Sequence, residues 1–441
     1  MALRLLLIAL SAALVSPFGG TAAASPASNL KRTLSRAMSG AGSHSGAFVM
    51  DADSGTTIFS RRGTTPRILA SNTKLFTSAA VLARYGRSSS LATTLIGSGS
   101  LQPNGSWNGS IYLRGGGDPT FGSSSFARST YGSSASVDAL ADQLHEAGFK
   151  SVTGSIIGDE SSFDSLRGGP SSSYGISRYV GPLSALSFNR GLAPGGWQRN
   201  PPLVAATRLD EALSARHISV RGKPRSAIAP DNAIELTEVR SPDVARLLFL
   251  QNKPSDNYIA EMLLKGLPMA ASSGGSLRRT SDPMPVTPTA ASPYGPAAET
   301  PATVGTTKAG VQAATAYARS LKVKANLVDG SGLSRYDRAA PREMVRLLLA
   351  LRSRPGFSAL YASLPIAGRD GTLAGRMRSG PADGRCHAKT GTLSDVSALS
   401  GYCISRSGRT LAFSVLNNST NIYNARSVQD RVAQALAGYR G

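Results

Sequence analysis

The sequence predicts a mixed α/β (α+β) chain with a β-rich insert, and three observations carry that expectation. Apolar residues recur at helical spacing in 71–85 and again across 241–266. Between them, about residues 90 to 240, short β-like runs alternate with glycine-rich turns. Near the end, three β-like runs follow one another ("RCHAKTGT", "VSALSGYCIS", "RTLAFSVLNN") and a helical stretch closes the chain. With 441 residues there is ample length for two or three domains.

Taken in order, residues 1–24 read as a secretory signal peptide: Arg4, then an apolar run to Val15, then small residues before Ala24. That run is too short to cross a bilayer, which takes roughly 18 or more apolar residues. Residues 45–62 form a hairpin turning at 51–55, and 71–85 a helix stopped by Gly86. One amphipathic helix, 137–147, interrupts the β-like texture of 89–240. Helices are expected at 241–253, 255–266, 310–321, 341–352 and 427–438, the last packed on a sheet. Residues 270–305, rich in Ser, Pro, Ala and Gly, read as a flexible loop. The expected division is therefore one body from 25–88 and 241–441, with 89–240 inserted.

The net charge of +22 comes mostly from arginine. Anionic polymers of a cell envelope suit such a surface. Nucleic acid does not, because the basic residues are scattered without a stripe or stacking aromatics, and export takes the chain elsewhere. The four histidines, His44, His145, His217 and His387, stand apart, so no metal site and no cofactor is expected. Two cysteines exclude a disulfide framework.

Chemistry enters with "ASNTKLF" (70–76). On a helix, Ser71 and Lys74 share one face a turn apart, with Ser71 at the positive end of the helix dipole. A serine hydroxyl needs a base, and a desolvated lysine can serve. By itself the spacing also fits a helix cap followed by a solvated lysine. Two further motifs decide between these: Ser255-Asp256-Asn257 in a turn between helices, and Lys389-Thr390-Gly391 on a strand. S-x-x-K, S-D-N and K-T-G in this order are the signature of penicillin-binding proteins and class A β-lactamases.

Within that signature Ser71 attacks a carbonyl and Lys74 takes its proton, a step worth roughly 10²–10⁴ in rate. Ser255 relays a proton to the leaving amine, and Asn257 holds Lys74 and a substrate amide. Lys389 offers charge to a substrate carboxylate and keeps Lys74 neutral. Thr390, Gly391 and Thr392 line the substrate strand, Gly391 leaving room along its edge, and the Ser71 and Thr392 N–H groups form the oxyanion hole.

The 184 residues from Ser71 to Ser255 are too many for a compact β-lactamase. With "YLRGGGDPTF" (112–121), "LSALSFNRG" (183–191) and "LVDGSGLSRYDRAAP" (327–341), the chain resembles the D-alanyl-D-alanine carboxypeptidase/endopeptidase family, the class C low-molecular-mass penicillin-binding proteins. The resemblance implies a transpeptidase-like domain whose five-stranded antiparallel sheet is flanked by helices, with inserted domains between the first two motifs. It implies peptidoglycan stem peptides as substrate, an exported, cell-wall-associated enzyme, and acylation of Ser71 by β-lactams. Rival readings are a β-lactamase or esterase of the same superfamily, which lacks support in the absence of a Glu-x-x-Leu-Asn segment, and a non-catalytic cationic wall-binding protein.

Four features are open at this stage. If the strands turn at 393–396, Cys386 faces Cys403 and Lys389 faces Ser400, close enough for a disulfide, against two free thiols. His387 either borders the cleft or is a solvated strand residue. "RGGGDP" (114–119) reads as a tight turn, since the lysine of a phosphate loop is missing. "DGSGLSR" (329–335) either lines the cleft or simply makes a turn.

Overall fold

A computed structural model gives the architecture and describes residues 25–271 and 304–441. The expected signal peptide and almost all of the expected 270–305 loop lie outside the described residues.

Helix α1 (Pro26–Ala37) is capped by the Ser25 hydroxyl, and strands β1 (Ser45–Asp51) and β2 (Thr57–Arg61) follow as a hairpin. A 3₁₀ turn, Ala70–Thr73, runs straight into α2 (Lys74–Tyr85). Next come β3 (Ala92–Leu101), β4 (Ser106–Gly115), α3 (Val137–Glu146), β5 (Ile156–Asp159), α4 (Pro201–Ser214) and β6 (Ile234–Arg240). Helices α5 (Val244–Asn252), α6 (Asn257–Gly266), α7 (Thr307–Ser320), α8 (Pro341–Arg352) and α9 (Phe357–Ser363) precede three strands. These are β7 (Cys386–Leu393), β8 (Val396–Ile404) and β9 (Thr410–Asn417), and α10 (Ile422–Gly438) ends the chain.

The main sheet has five strands in the order β7-β8-β9-β1-β2, all antiparallel. Alternation along β1 sends Ala47 and Val49 to one face and Phe48 to the other. Leu30 and Leu34 of α1 and Val428, Val432 and Leu436 of α10 cover the first face. The second packs on α8 and leads to the helical core around α2. Ten of the twelve residues of α2 are buried, Lys74 among them. A helix covered on every side explains why a lysine there loses its water.

A separate seven-stranded sheet is drawn from residues 92–240, with β4 antiparallel to β3 and parallel to β5. Leu140 and Leu144 of α3 and Leu209 and Leu213 of α4 pack against Leu95, Ile111 and Leu113. Reading this stretch as β-rich misses α4. Its Pro201-Pro202 start looks like a turn in sequence, yet proline fits the first helical turn, and Asn200 caps it by accepting from the Leu203 N–H. The expected helix over 71–85 is corrected at its start: residues 70–73 form a tighter 3₁₀ turn, so Ser71 sits before the α-helix proper.

Candidate active site

Lys74 opens α2, and its Nζ lies 2.9 Å from Ser71 Oγ. It also donates to Asn257 Oδ1 and to the Ser331 carbonyl, each at 2.7 Å. The side chain is fully buried, and this desolvation lowers the amine to about 8 against the pull of Asp329, Glu261, Asp256 and Asp337. A proton acceptor thus sits on the serine oxygen. Just upstream, Ala70 has a φ of 45°, a left-handed conformation that a non-glycine residue adopts at a cost of about 1–3 kcal/mol.

Ser255 has the same unusual backbone, with φ 65°. Its Oγ accepts from Lys389 Nζ at 2.8 Å, and that amine also donates to the Thr390 carbonyl at 2.9 Å. Asp256 is the N-cap of α6, accepting from the Ile259 N–H at 2.9 Å. Arg190 grips the same carboxylate with two N–H groups, one at 3.0 Å, and its guanidinium lies 5.0 Å from the Tyr258 ring centroid. A residue from the 92–240 region therefore fixes the turn carrying Ser255 and Asn257. Asn257 Nδ2 points away from Lys74, to the Tyr179 carbonyl at 3.2 Å.

Behind Lys74 lies the 329–337 loop. Glu261, buried on α6, accepts from the Gly330 and Ser331 N–H groups, which aims the Ser331 carbonyl at the amine. Burial and the neighbouring Asp329 push the Glu261 carboxyl up to about 7 and raise Asp337 well above its usual range. Asp329 closes the loop by accepting from the Gly332 and Ser334 N–H groups at 2.6 and 2.7 Å. "DGSGLSR" is thus a turn built against the site: a Cβ on Gly332, at φ 83°, would meet the Ala70 carbonyl at 1.9 Å.

Ser71, Ser255, Thr390, Gly391 and Thr392 line one open cleft together with Arg376 and Arg426. Gly391 lines the cleft and has a second role. A Cβ there would come within 2.8 Å of the Leu69 carbonyl and 3.0 Å of the Ser71 nitrogen, so the missing side chain lets β7 approach the serine turn itself. No acidic group offsets the burial of Lys389, and Lys74 repels it, so its amine is held well below the ordinary lysine value. Of the two lysines, Lys74 is the one supported by carboxylates.

The β7–β8 register pairs Cys386 with Cys403 and Lys389 with Ser400, and the two cysteines form a disulfide. His387 stacks on Tyr361 at 4.2 Å, half-buried, away from the cleft. "RGGGDP" is a turn closed by Asp118, which accepts from the Thr120 N–H and hydroxyl, both at 2.7 Å. Among the described residues no cluster of His, Cys, Asp and Glu is arranged to hold a metal.

Against known proteins, residues 27–195 and 297–439 match the D-Ala-D-Ala carboxypeptidase 3 (S13) family. The chain belongs to that family. It is a serine-type D-Ala-D-Ala carboxypeptidase of the low-molecular-mass penicillin-binding group. A D-alanyl-D-alanine carboxypeptidase of Actinomadura sp. (strain R39) is 28% identical over 485 residues, covering 91% of this chain and 82% of that protein. A carboxypeptidase of Mycolicibacterium smegmatis is 27% identical over 410 residues, covering 88% and 79%. The crystal structure of penicillin-binding protein 4 from Haemophilus influenzae shares the fold, with a TM-score of 0.70 at 20% identity over 90% of this chain and 97% of that one. The same protein, complexed with a β-lactam, aligns with a TM-score of 0.68 at 19% identity, again over 90% and 97%.

In this carboxypeptidase the motif residues of all three boxes meet at one cleft. Sequence reasoning misses Arg190, Glu261, Asp337 and Arg426. "LSALSFNRG" and "LVDGSGLSRYDRAAP" contain Arg190 and Asp337 and mark the family, but nothing in their spacing says that they reach the serine and lysine boxes. Glu261, six residues after Ser255 on a helix, was discoverable only as an acid on an otherwise apolar face.

Proposed function

We propose that the enzyme is exported and removes the terminal D-alanine from peptidoglycan stem peptides through an acyl-enzyme on Ser71. The observation that carries this is the buried Lys74 amine 2.9 Å from the Ser71 hydroxyl, with its pKa lowered to about 8. Ser71 Oγ attacks the carbonyl carbon of the penultimate D-alanine as its proton passes to Lys74. Negative charge develops on the carbonyl oxygen, where the Ser71 and Thr392 N–H groups stabilise it. The amide C–N bond then breaks, and the departing amine takes a proton through Ser255, held in place by Lys389. Water hydrolyses the ester and frees Ser71. Asn257 and the Ser331 carbonyl keep Lys74 aimed throughout.

A β-lactam offers an acylable carbonyl whose amine cannot diffuse away, so penicillins should block Ser71 as a lasting ester. The reading extends to D-alanyl cross-links, which present the same D-alanyl carbonyl to the serine. The charge of +22 favours residence among anionic envelope polymers.

The test uses a fluorescent penicillin and defined muropeptides. Wild type should be labelled and should shorten a monomeric pentapeptide by one alanine, with Ser71→Ala doing neither. A folded wild type that takes no label refutes the serine mechanism; one that is labelled but releases no alanine refutes the carboxypeptidase substrate. Adding a cross-linked dimer reads the endopeptidase extension separately.

A further inference from the structure

Helices α1 and α10 lie side by side on the outer face of the main sheet. The chain ends beside the start of α1, where a Cβ on Gly441 would meet Pro26 at 3.3 Å. At the other end of α1, Arg431 Nη2 donates to the Ala37 carbonyl at 3.5 Å. The two helices therefore run antiparallel, with an open groove between them lined by Thr33, Arg36, Pro381, Arg431, Gln434 and Ala435. Its rims are basic. Helix α1 holds Lys31, Arg32 and Arg36 and no acid. Leu30, Leu34 and Ala37 take its sheet-facing positions, which leaves the cations in water. Arg431 and Arg440 are exposed on the α10 side. Among the described residues none of these cations is paired with a carboxylate. The one acid of α10, Asp430, is taken by Arg376 at 2.6 Å.

We propose that this face is a docking surface for a linear phosphodiester polymer of the cell envelope. The inference deepens the proposed residence among anionic envelope polymers and is independent of the Ser71 chemistry. Unpaired charge here is of one sign, over a strip that follows α1 for about 17 Å, from Arg440 near its start to Arg431 at its end. Arg32 and Arg36, one turn apart, fall between those two. A guanidinium keeps its charge at any working pH, and its forked N–H donors match phosphate oxygens. Between the rims the floor is aliphatic, made by Ala37, Pro381 and Ala435, which suits the uncharged links between phosphates. A membrane surface fits less well. Among the described residues no large apolar side chain is exposed on α1 or in the groove, whereas a helix lying on a bilayer buries several. Arg376, the partner of Asp430, lines the catalytic cleft, so a polymer held in the groove keeps that cleft beside the wall.

The experiment titrates the protein with fluorophore-labelled poly(glycerol phosphate), with dextran as the uncharged control and phosphatidylglycerol vesicles as the membrane control. Wild type should bind the polymer and not dextran, with an affinity that falls as salt rises. Arg32→Gln/Arg36→Gln/Arg431→Gln should weaken polymer binding roughly 10- to 100-fold at low salt and flatten the slope of log K against log salt by about two. Arg221→Gln/Lys223→Gln/Arg225→Gln removes the same charge from an exposed stretch of the 92–240 region and should bind like wild type. Arg32→Gln/Arg36→Gln leaves the Arg431 bond to α1 intact and should lose an intermediate amount, which separates docking from misfolding. None of the substituted residues lines the catalytic cleft, so every variant should take fluorescent penicillin at the wild-type rate. Absence of polymer binding, equal losses in the two triple variants, or binding confined to the vesicles overturns the docking surface. A wild type that binds the polymer but takes no penicillin refutes the serine mechanism alone.

Discussion

If neutral Lys74 is the base, the pH dependence of Ser71 acylation follows from its surroundings. Burial lowers the amine, Asp329, Glu261, Asp256 and Asp337 raise it again, and the balance is about 8. The neutral fraction at pH 7 is then roughly one-tenth, so acylation by a chromogenic β-lactam should climb about tenfold per pH unit to near 8 and level off above it. Glu261→Gln removes one of the raising charges, and the limb should move to lower pH. Stability changes with the same sign as for a paired carboxylate, whose folded pKa is also depressed. The folded pKa lies below the unfolded value of 10.5, so between about 8 and 10.5 the unfolded chain binds more protons and stability rises with pH. Across that window the Lys74 share amounts to roughly 3 kcal/mol, and Lys74→Met should lack that part of the rise in urea titrations. An acylation rate flat from pH 6 to 9, or a limb at the ordinary lysine value, would refute the assignment.

Three other perturbations test the frame around the cleft. Gly391→Ala puts a methyl group 3.0 Å from the Ser71 nitrogen, so penicillin labelling should slow at least about tenfold and stability fall by about 1–3 kcal/mol; wild-type labelling would deny the close approach. Arg190→Ala strips the Asp256 carboxylate of its partner and should cost about 3 kcal/mol in urea titrations, with slower labelling because the turn bearing Ser255 and Asn257 loosens. The Cys386→Ala/Cys403→Ala variant opens a closure spanning a sequence separation of 17 and should lower unfolding free energy by about 3 kcal/mol while labelling persists; an unchanged urea midpoint would show that the strand pairing needs no clip.

What could be read in advance was whatever depends on residue type at short spacing. Ser71 and Lys74 are three apart, and a helix or a 3₁₀ turn leaves them near one another, so the error at the helix start did no harm to the pairing. The β7–β8 register follows from a tight turn and period-two geometry, which sets Lys389 opposite Ser400. Contacts between distant segments were not accessible. Glu261 meets the Ser331 N–H across a separation of 70, and Arg190 meets Asp256 across 66. The second role of Gly391 is hidden for the same reason: only the fold brings Leu69 and Ser71 against it.

The two buried lysines differ in the acids around them. A buried cation repels its neighbour only while it holds its proton, and Lys389 has desolvation and Lys74 against it with no carboxylate in its favour. Lys74 has four. Desolvation lowers both amines, and carboxylates pull back only that of Lys74. Neutrality of the base is then set by burial of α2 against the carboxylates of Asp329, Glu261, Asp256 and Asp337.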